Sequence, residues 1–339
     1  MSVPRILTGF VAVCVICAGC RSDSGMTPTP GGLLNAPTVF IPVGLLKSPR
    51  GIAVDNTGDI WIGDTYGGVI RRFTSQGSQR LSLPNYAFPR NMGIDKGTGH
   101  VLAIVNDNTI LSINPANNVD SPVASLTTFT VDTSGIFDVT TGDQVSRVMN
   151  IGRVGDVDGA INGDLFASVV ANGGENFLVR VRNGQPKAIA YSPRVPTNTP
   201  DRRPRFVITG GASTVYTSFL ASTTSTLPQR CYGLITASLI SSRFFDGAYV
   251  TANAPGGGYD PSGFLFIADA DNRELVIVSL SSEQIVEHDL LPDISGMTQP
   301  SPADVAVAPD GTVYVVVTDA FDTANSIGAV LRYTRTPVQ

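Results

Sequence analysis

The chain has 339 residues, of which 42% are hydrophobic and 15% charged, against about 25% charged in an ordinary domain. A net charge of −5 excludes the basic footprint of a nucleic-acid binder, and the high apolar content excludes a disordered chain. With 35 Gly, 23 Pro and only four Glu and three Lys, strong helix formers are scarce, which excludes a mostly helical protein.

Residues 1–19 carry Arg5 and then an apolar run from Ile6 to Ala18 that closes on small residues. That is the layout of a secretory signal peptide. The run is shorter than the ~18–20 residues that a bilayer span needs, and polar Arg21-Ser22-Asp23-Ser24 follows at once. Cys17-Ala18-Gly19-Cys20 resembles the lipobox of bacterial lipoproteins. The resemblance implies that Cys20 becomes the mature N-terminus and carries a diacylglyceryl group, which anchors the exported chain in a membrane of the cell envelope. Cys17 stands where that family prefers Leu, so ordinary cleavage and full secretion is the alternative. Arg21 after the Cys, rather than Asp, implies the outer membrane if the cell is Gram-negative.

Residues 20–37 are rich in Ser, Thr, Pro and Gly and read as a flexible tether. Cys14 and Cys17 leave with the signal and Cys20 is lipidated, so Cys231 is the one mature thiol. A structural Cys is a commoner reading of it than a nucleophile, and no disulfide framework or Cys-based zinc site can form.

From residue 38 onward one unit repeats. Its clearest copy is Ser48-Pro49-Arg50-Gly51-Ile52-Ala53-Val54-Asp55-Asn56-Thr57-Gly58-Asp59-Ile60-Trp61-Ile62-Gly63-Asp64, a short apolar strand, an Asp/Asn/Gly turn and a second apolar strand. The turn-then-apolar pair recurs at Ile60-Trp61, Val101-Leu102, Leu165-Phe166, Val215-Tyr216, Leu265-Phe266 and Val313-Tyr314. A third strand often follows, as in Val69–Phe73 and Ala329–Tyr333. Three or four strands in every ~40–50 residues is the spacing of β-propeller blades. The expectation is an all-β, six-bladed β-propeller over residues 38–335.

Closure requires the two chain ends to meet, because an unjoined blade leaves an exposed strand edge. Thr38-Val39-Phe40-Ile41-Pro42-Val43 has strand character and no blade of its own, and the chain ends on Leu331-Arg332-Tyr333. The N-terminal segment is therefore expected to be the outermost strand of the last blade, with Pro42 tolerated at an edge.

The segments Pro49–Asp55, Gly58–Asp64 and Ala306–Tyr314 resemble NHL-type repeats and the related regucalcin/gluconolactonase-like and lyase propellers. In the gluconolactonase-like hydrolases a divalent cation sits in the central channel on Glu, Asn and Asp side chains. The resemblance therefore implies calcium or another divalent cation. Against it, the only glutamates are Glu175, Glu274, Glu283 and Glu287, and Arg50 stands in the neighbourhood where that family places a Glu ligand. Two histidines, His100 and His288, exclude a three-His zinc site and with it the amidating-lyase type of propeller. Both read as solvated surface residues.

The clusters Asp156-Val157-Asp158, Asp269-Ala270-Asp271-Asn272 and Asp319 with Asp322 read as turn chemistry rather than as metal ligands. Neither a Gly-x-Ser-x-Gly elbow nor a phosphate-binding loop is present. Pro-Arg, however, recurs near blade starts as Pro49-Arg50, Pro89-Arg90 and Pro204-Arg205. Equivalent positions of a propeller lie on a ring, so Arg50, Arg90 and Arg205 are candidates for ligand binding at one mouth of the channel. Each offers a planar fork for carboxylate or phosphate. Alternatively each pairs with an Asp of a neighbouring blade, such as Asp55 or Asp304.

These residues point to an envelope-anchored, monomeric, non-catalytic propeller without a cofactor. It would bind a protein, glycan or small-molecule ligand through one face or the channel mouth. The alternative is a divalent-metal-dependent gluconolactonase-like hydrolase or lyase.

Overall fold

The computed structural model describes residues 32–126, 128–130, 148–172, 176–192, 206–210, 214–220, 229–235, 242–250, 255–282, 284–319 and 327–335. Among them there is no helix. The chain opens with β1 (Thr38–Lys47), which belongs to the last sheet. The first antiparallel meander is β2 (Pro49–Val54), β3 (Ile60–Asp64), β4 (Val69–Phe73) and β5 (Gln79–Pro84). The second is β6 (Met92–Asp95), β7 (His100–Val105), β8 (Thr109–Asn114) and β9 (Val119–Ser125). Short β10 (Thr128–Thr130) pairs with β11 (Val148–Gly159), which continues into β12 (Leu165–Ala171), β13 (Asn176–Arg182) and β14 (Gln185–Ser192). The next meander holds β15 (Val207–Gly210), β16 (Thr214–Leu220), β17 (Gln229–Ile235) and β18 (Ser242–Val250). After it come β19 (Gly257–Asp260), β20 (Phe264–Asp269), β21 (Glu274–Ser279) and β22 (Gln284–Leu290). The last sheet is β23 (Pro300–Val307), β24 (Val313–Asp319), β25 (Ile327–Tyr333) and then β1.

The second and third meanders share one nine-stranded sheet through a single parallel pairing, Gly159 opposite Asp95. The six apolar pairs all lie at the start of a second strand, and Val69–Phe73 and Ala329–Tyr333 lie in third strands.

Burial explains the layout. Second and third strands such as β3 and β21 are buried on both faces, because each sheet is packed between two others. Fourth strands alternate instead: β22 reads exposed and half-buried in turn along Gln284–Leu290. Four of these outer strands carry a proline (Pro42, Pro84, Pro122 and Pro186), a residue that blunts a sheet edge. Apolar clusters fill the spaces between successive sheets. One holds Trp61, Met92 and Val101, and another holds Ile41, Ile52, Ala306 and Val330, where the last sheet meets the first.

The inner strands β2, β6, β11, β15, β19 and β23 touch in that order, and β23 touches β2 again, so they enclose an axis. At the seam β1 pairs antiparallel with β25, from Thr38 opposite Arg332 to Lys47 opposite Ile327. The strand continues past the expected 38–43. Ordered contact also begins before Thr38: the Leu33 N–H donates to Glu287 Oε2 at 2.6 Å, Leu34 is buried and bridges Arg335, and the Asn35 N–H donates to the Thr334 carbonyl at 2.9 Å.

The turn between a first and second strand is held by its own aspartate. Asp55 accepts from the Thr57 and Asp59 N–H groups at 2.9 and 3.1 Å and from Trp61 Nε1 at 2.8 Å. Those bonds draw its carboxyl below the usual range although burial opposes them. Buried Arg72 closes the cluster. It donates to Asp59 at 2.8 Å and to Asp55 at 3.2 Å, and its guanidinium lies 4.9 Å from the Trp61 ring.

Candidate functional site: the channel and its two faces

One position recurs near the start of the six inner strands: Gly51, Asn91, Asp156, Phe206, Gly256 and Asp304 occupy it. Asp304 follows a β-bulge at Ala303 in β23. Its Oδ2 accepts the Ile52 N–H of β2 at 2.9 Å and its Oδ1 accepts the Val305 N–H at 2.9 Å. Asp156, after a bulge in β11, repeats the arrangement, with Oδ2 on the Val207 N–H at 2.7 Å and Oδ1 on the Val157 N–H at 2.8 Å. Each carboxylate thus ties its inner strand to the next one. Glycine at position 256 follows from this geometry, since a Cβ there would stand 2.0 Å from Asp304 Oδ1. Asn91 goes further: its Nδ2 donates to the Pro255 carbonyl at 2.8 Å and so spans the axis from the second meander to the fifth.

Below this level lies a cavity of about 80 Å³, bounded by Met92, Lys96, Asp156, Asp158, Ile208 and Tyr259 among others. Asp158 Oδ1 accepts the Ile94 N–H at 3.2 Å, and Oδ2 accepts the Thr209 N–H at 2.8 Å and the Lys96 ammonium at 2.6 Å. The Lys96 Nζ also donates to Thr209 Oγ1. Burial drives the Asp156 and Asp304 carboxyls well above the usual range. The charge of Asp304 raises Asp156 further, and backbone N–H donors only partly offset the burial of Asp304.

The reading of Asp156-Val157-Asp158 as turn chemistry is corrected by this arrangement: the segment is mid-strand, and its carboxylates cross between strands. The other Asp clusters do serve connections. Asp269 Oδ1 accepts the Asp271 and Asn272 N–H groups at 3.1 Å each, and Asp319 accepts the Thr298 N–H at 2.6 Å. Asp322 lies outside the described residues.

The inner strands begin on the face that carries the β3–β4 and β7–β8 turns. Here Arg50 sits at a bulge between Pro49 and Gly51, which takes it out of the ladder, and its side chain is exposed. Arg90 precedes β6, and its Nη2 lies 2.9 Å from Asp107 Oδ1, with Arg153 Nε 3.7 Å from the same oxygen. Asp107 belongs to the same meander as Arg90, whereas Arg153 comes from the next. Neither Asp55 nor Asp304 is the partner of Arg90. Arg205 and Cys20 lie outside the described residues, and Cys231 falls in β17. His100 Nδ1 is 2.9 Å from Ser112 Oγ, and His288 Nδ1 is 2.9 Å from Glu274 Oε1.

Lys96, Asn91 and Asp107 were missed by the sequence reading. All three lie in the connections that flank β6–β8 and not in strands, so no local pattern marked them.

A divalent cation would need several oxygens converging on one point. In the channel both oxygens of Asp156, Asp158 and Asp304 already accept hydrogen bonds, and the ammonium of Lys96 occupies the space beside Asp158. Among the described residues no three His, Cys, Asp or Glu are grouped to hold a metal. The residues present do not fit the cation that the gluconolactonase-like resemblance implies.

No protein-family model matches the sequence, and no curated protein matches it. Solved structures do match in shape. A gluconolactonase from Xanthomonas campestris, at 11% identity, superposes over 88% of this chain and 89% of its own with a TM-score of 0.57. The calcium-binding protein regucalcin from Agrobacterium tumefaciens, at 13% identity, covers 87% of this chain and 93% of its own with a TM-score of 0.54. A streptogramin B lyase, at 11% identity, covers 90% of this chain and 99% of its own with a TM-score of 0.55. At such identities the likeness concerns fold alone: the chain is an all-β propeller of gluconolactonase-like architecture.

Proposed function

We propose that the chain is a six-bladed propeller held at the bacterial cell envelope by a lipid on Cys20, and that it binds its ligand through the face bearing Arg50 and Arg90. Support for six blades comes from the inner strands, which follow one another around the axis, and from the nine-stranded sheet, which is two quartets joined by one pairing. The observation that carries the binding reading is the use of the channel carboxylates. Asp156 and Asp304 are spent on backbone N–H groups of the neighbouring strands, and Asn91 bridges the axis. The interior is thus engaged in holding the ring, which leaves recognition to the loops.

A second reading is a hydrolase or lyase of the gluconolactonase-like kind. The fold comparisons weigh towards it, since two of the three structures described are enzymes. Metal analysis of the purified full-length chain, with δ-gluconolactone hydrolysis followed in the presence of calcium or manganese, separates the two. The binding reading expects neither a stoichiometric cation nor turnover; finding both overturns it. Cys20→Ser should shift the chain from the membrane fraction to the soluble one, and unchanged fractionation removes the lipid anchor.

A further inference from the structure

On the Arg50 face, four loop segments are latched together. The Tyr66 N–H donates to the Lys47 carbonyl at 3.1 Å, Thr65 Oγ1 donates to the Pro89 carbonyl at 2.7 Å, and the Asn106 N–H donates to the Ala87 carbonyl at 2.8 Å. Tyr66 and Phe88 each lie one residue from the Thr65–Pro89 bond, which places both on the same rim. They are 58% and 49% exposed, in contrast to the buried aromatic residues of the sheets. Phe88 also has φ = +50°, in the left-handed region that a bulky side chain rarely adopts. The residue is only half-buried, and strain kept at such a side chain is a mark of function.

The same rim is basic within an acidic chain. Lys47 and Arg50 are exposed, and Arg90 and Arg153 together face the single carboxylate of Asp107. Nearby Asp64 is buried and engaged by Arg71 at 3.2 Å. Among the described residues of this rim, Lys47, Arg50, Arg90 and Arg153 stand beside one partly exposed carboxylate, Asp107, although the whole chain carries −5.

We infer that Tyr66, Phe88 and Arg50, with the Arg90–Arg153 pair beside them, form a docking patch for an acidic glycan. The two rings offer apolar faces to the C–H faces of sugar rings, and the arginine forks take uronate carboxylates. A nucleic acid could also stack on aromatic rings. Its backbone, at one charge per ~1.7 Å in the duplex, is repelled more strongly by an acidic protein than a sparser polyuronate is.

The tether leaves from the opposite face. The β3–β4 turn of the patch precedes a third strand, whereas Leu34 bridges Arg335, just past the end of third strand β25. The glycan assignment rests on the binding reading above and names its ligand class.

The test uses the full-length chain in detergent, with polygalacturonate as probe and dextran and a thymidine oligonucleotide as controls, read by calorimetry or affinity electrophoresis. Polygalacturonate should bind and dextran should not, and the affinity should fall as salt rises from about 50 to about 500 mM. Arg50→Gln, and the pair Tyr66→Ala with Phe88→Gly, should each weaken binding at least about tenfold. The emission of buried Trp61 verifies that each variant is folded. Absence of polygalacturonate binding, equal or tighter binding of the oligonucleotide, or indifference to the aromatic substitutions overturns the glycan patch. Should another ligand bind and be lost in Arg50→Gln, the binding reading stands and only the ligand class is wrong; lactone turnover with a bound cation defeats the reading itself.

Discussion

Asp304 and Ile52 close the ring: the carboxylate of the last inner strand accepts the backbone N–H of the first at 2.9 Å, across 252 residues of sequence. The bond works alongside the pairing of β1 with β25, so the seam is held both at the axis and at the rim. Removing the carboxylate leaves the Ile52 and Val305 N–H groups buried without it, at about 1–3 kcal/mol for each orphaned donor. Asp304→Ala should therefore lower stability by about 2 kcal/mol or more. Urea unfolding followed through Trp61, the one tryptophan of the chain, measures this. An unchanged midpoint would show that the carboxylate is not a tie.

Asp289 on β22 is raised to about 6 by burial, with the charge of Glu287 adding to it. The folded state therefore holds a proton more tightly than the unfolded chain, whose carboxyl titrates near 3.8. Stability from this group is full below that lower value, declines as pH rises and is gone above pH 6. Asp289→Asn should accordingly be more stable than the parent at pH 7.5, and the difference should vanish below about pH 4. Paired denaturation curves at the two pH values test the sign; a constant difference counts against the burial explanation.

Tyr333 fills the core between the last two sheets, and its hydroxyl is buried with no hydrogen-bond partner among the described residues. A phenylalanine keeps the ring and removes an unsatisfied polar atom. Tyr333→Phe is expected to be neutral or to gain about 1 kcal/mol, in contrast to the loss usual for a core substitution. A clear loss in thermal or urea unfolding would mean that the hydroxyl has a partner.

The N-terminal segment gives a graded test of closure. Deleting residues 22–31 leaves every described contact of Leu33, Leu34 and β1 in place, so the unfolding midpoint should not move. Extending the deletion through Lys47 removes the partner of β25 and uncovers the cluster around Ile41, Leu46 and Val330. That form should unfold earlier or aggregate through the bared strand edge. Equal midpoints for the two truncations would dispose of the closure argument.

The strands and their order were legible in the sequence because their signals are local. The short apolar runs, the Asp-Asn-Thr-Gly turn at Asp55–Gly58 and the apolar pairs such as Ile60-Trp61 each depend on residues a few positions apart. Even the seam could be read, because the Thr38–Val43 segment had no other strand to join. The roles of Asp156, Asp304 and Asn91 were not legible, since their partners Val207, Ile52 and Pro255 lie 51, 252 and 164 residues away. Only the curvature of the ring brings those atoms within hydrogen-bond reach, and only burial between strands turns an aspartate of turn-like appearance into an inter-strand tie. The arginines divide in the same way. Sequence placed Arg50 and Arg90 at equivalent points of a repeat, but the bulge that frees Arg50 and the loop that sets Asp107 against Arg90 are tertiary decisions.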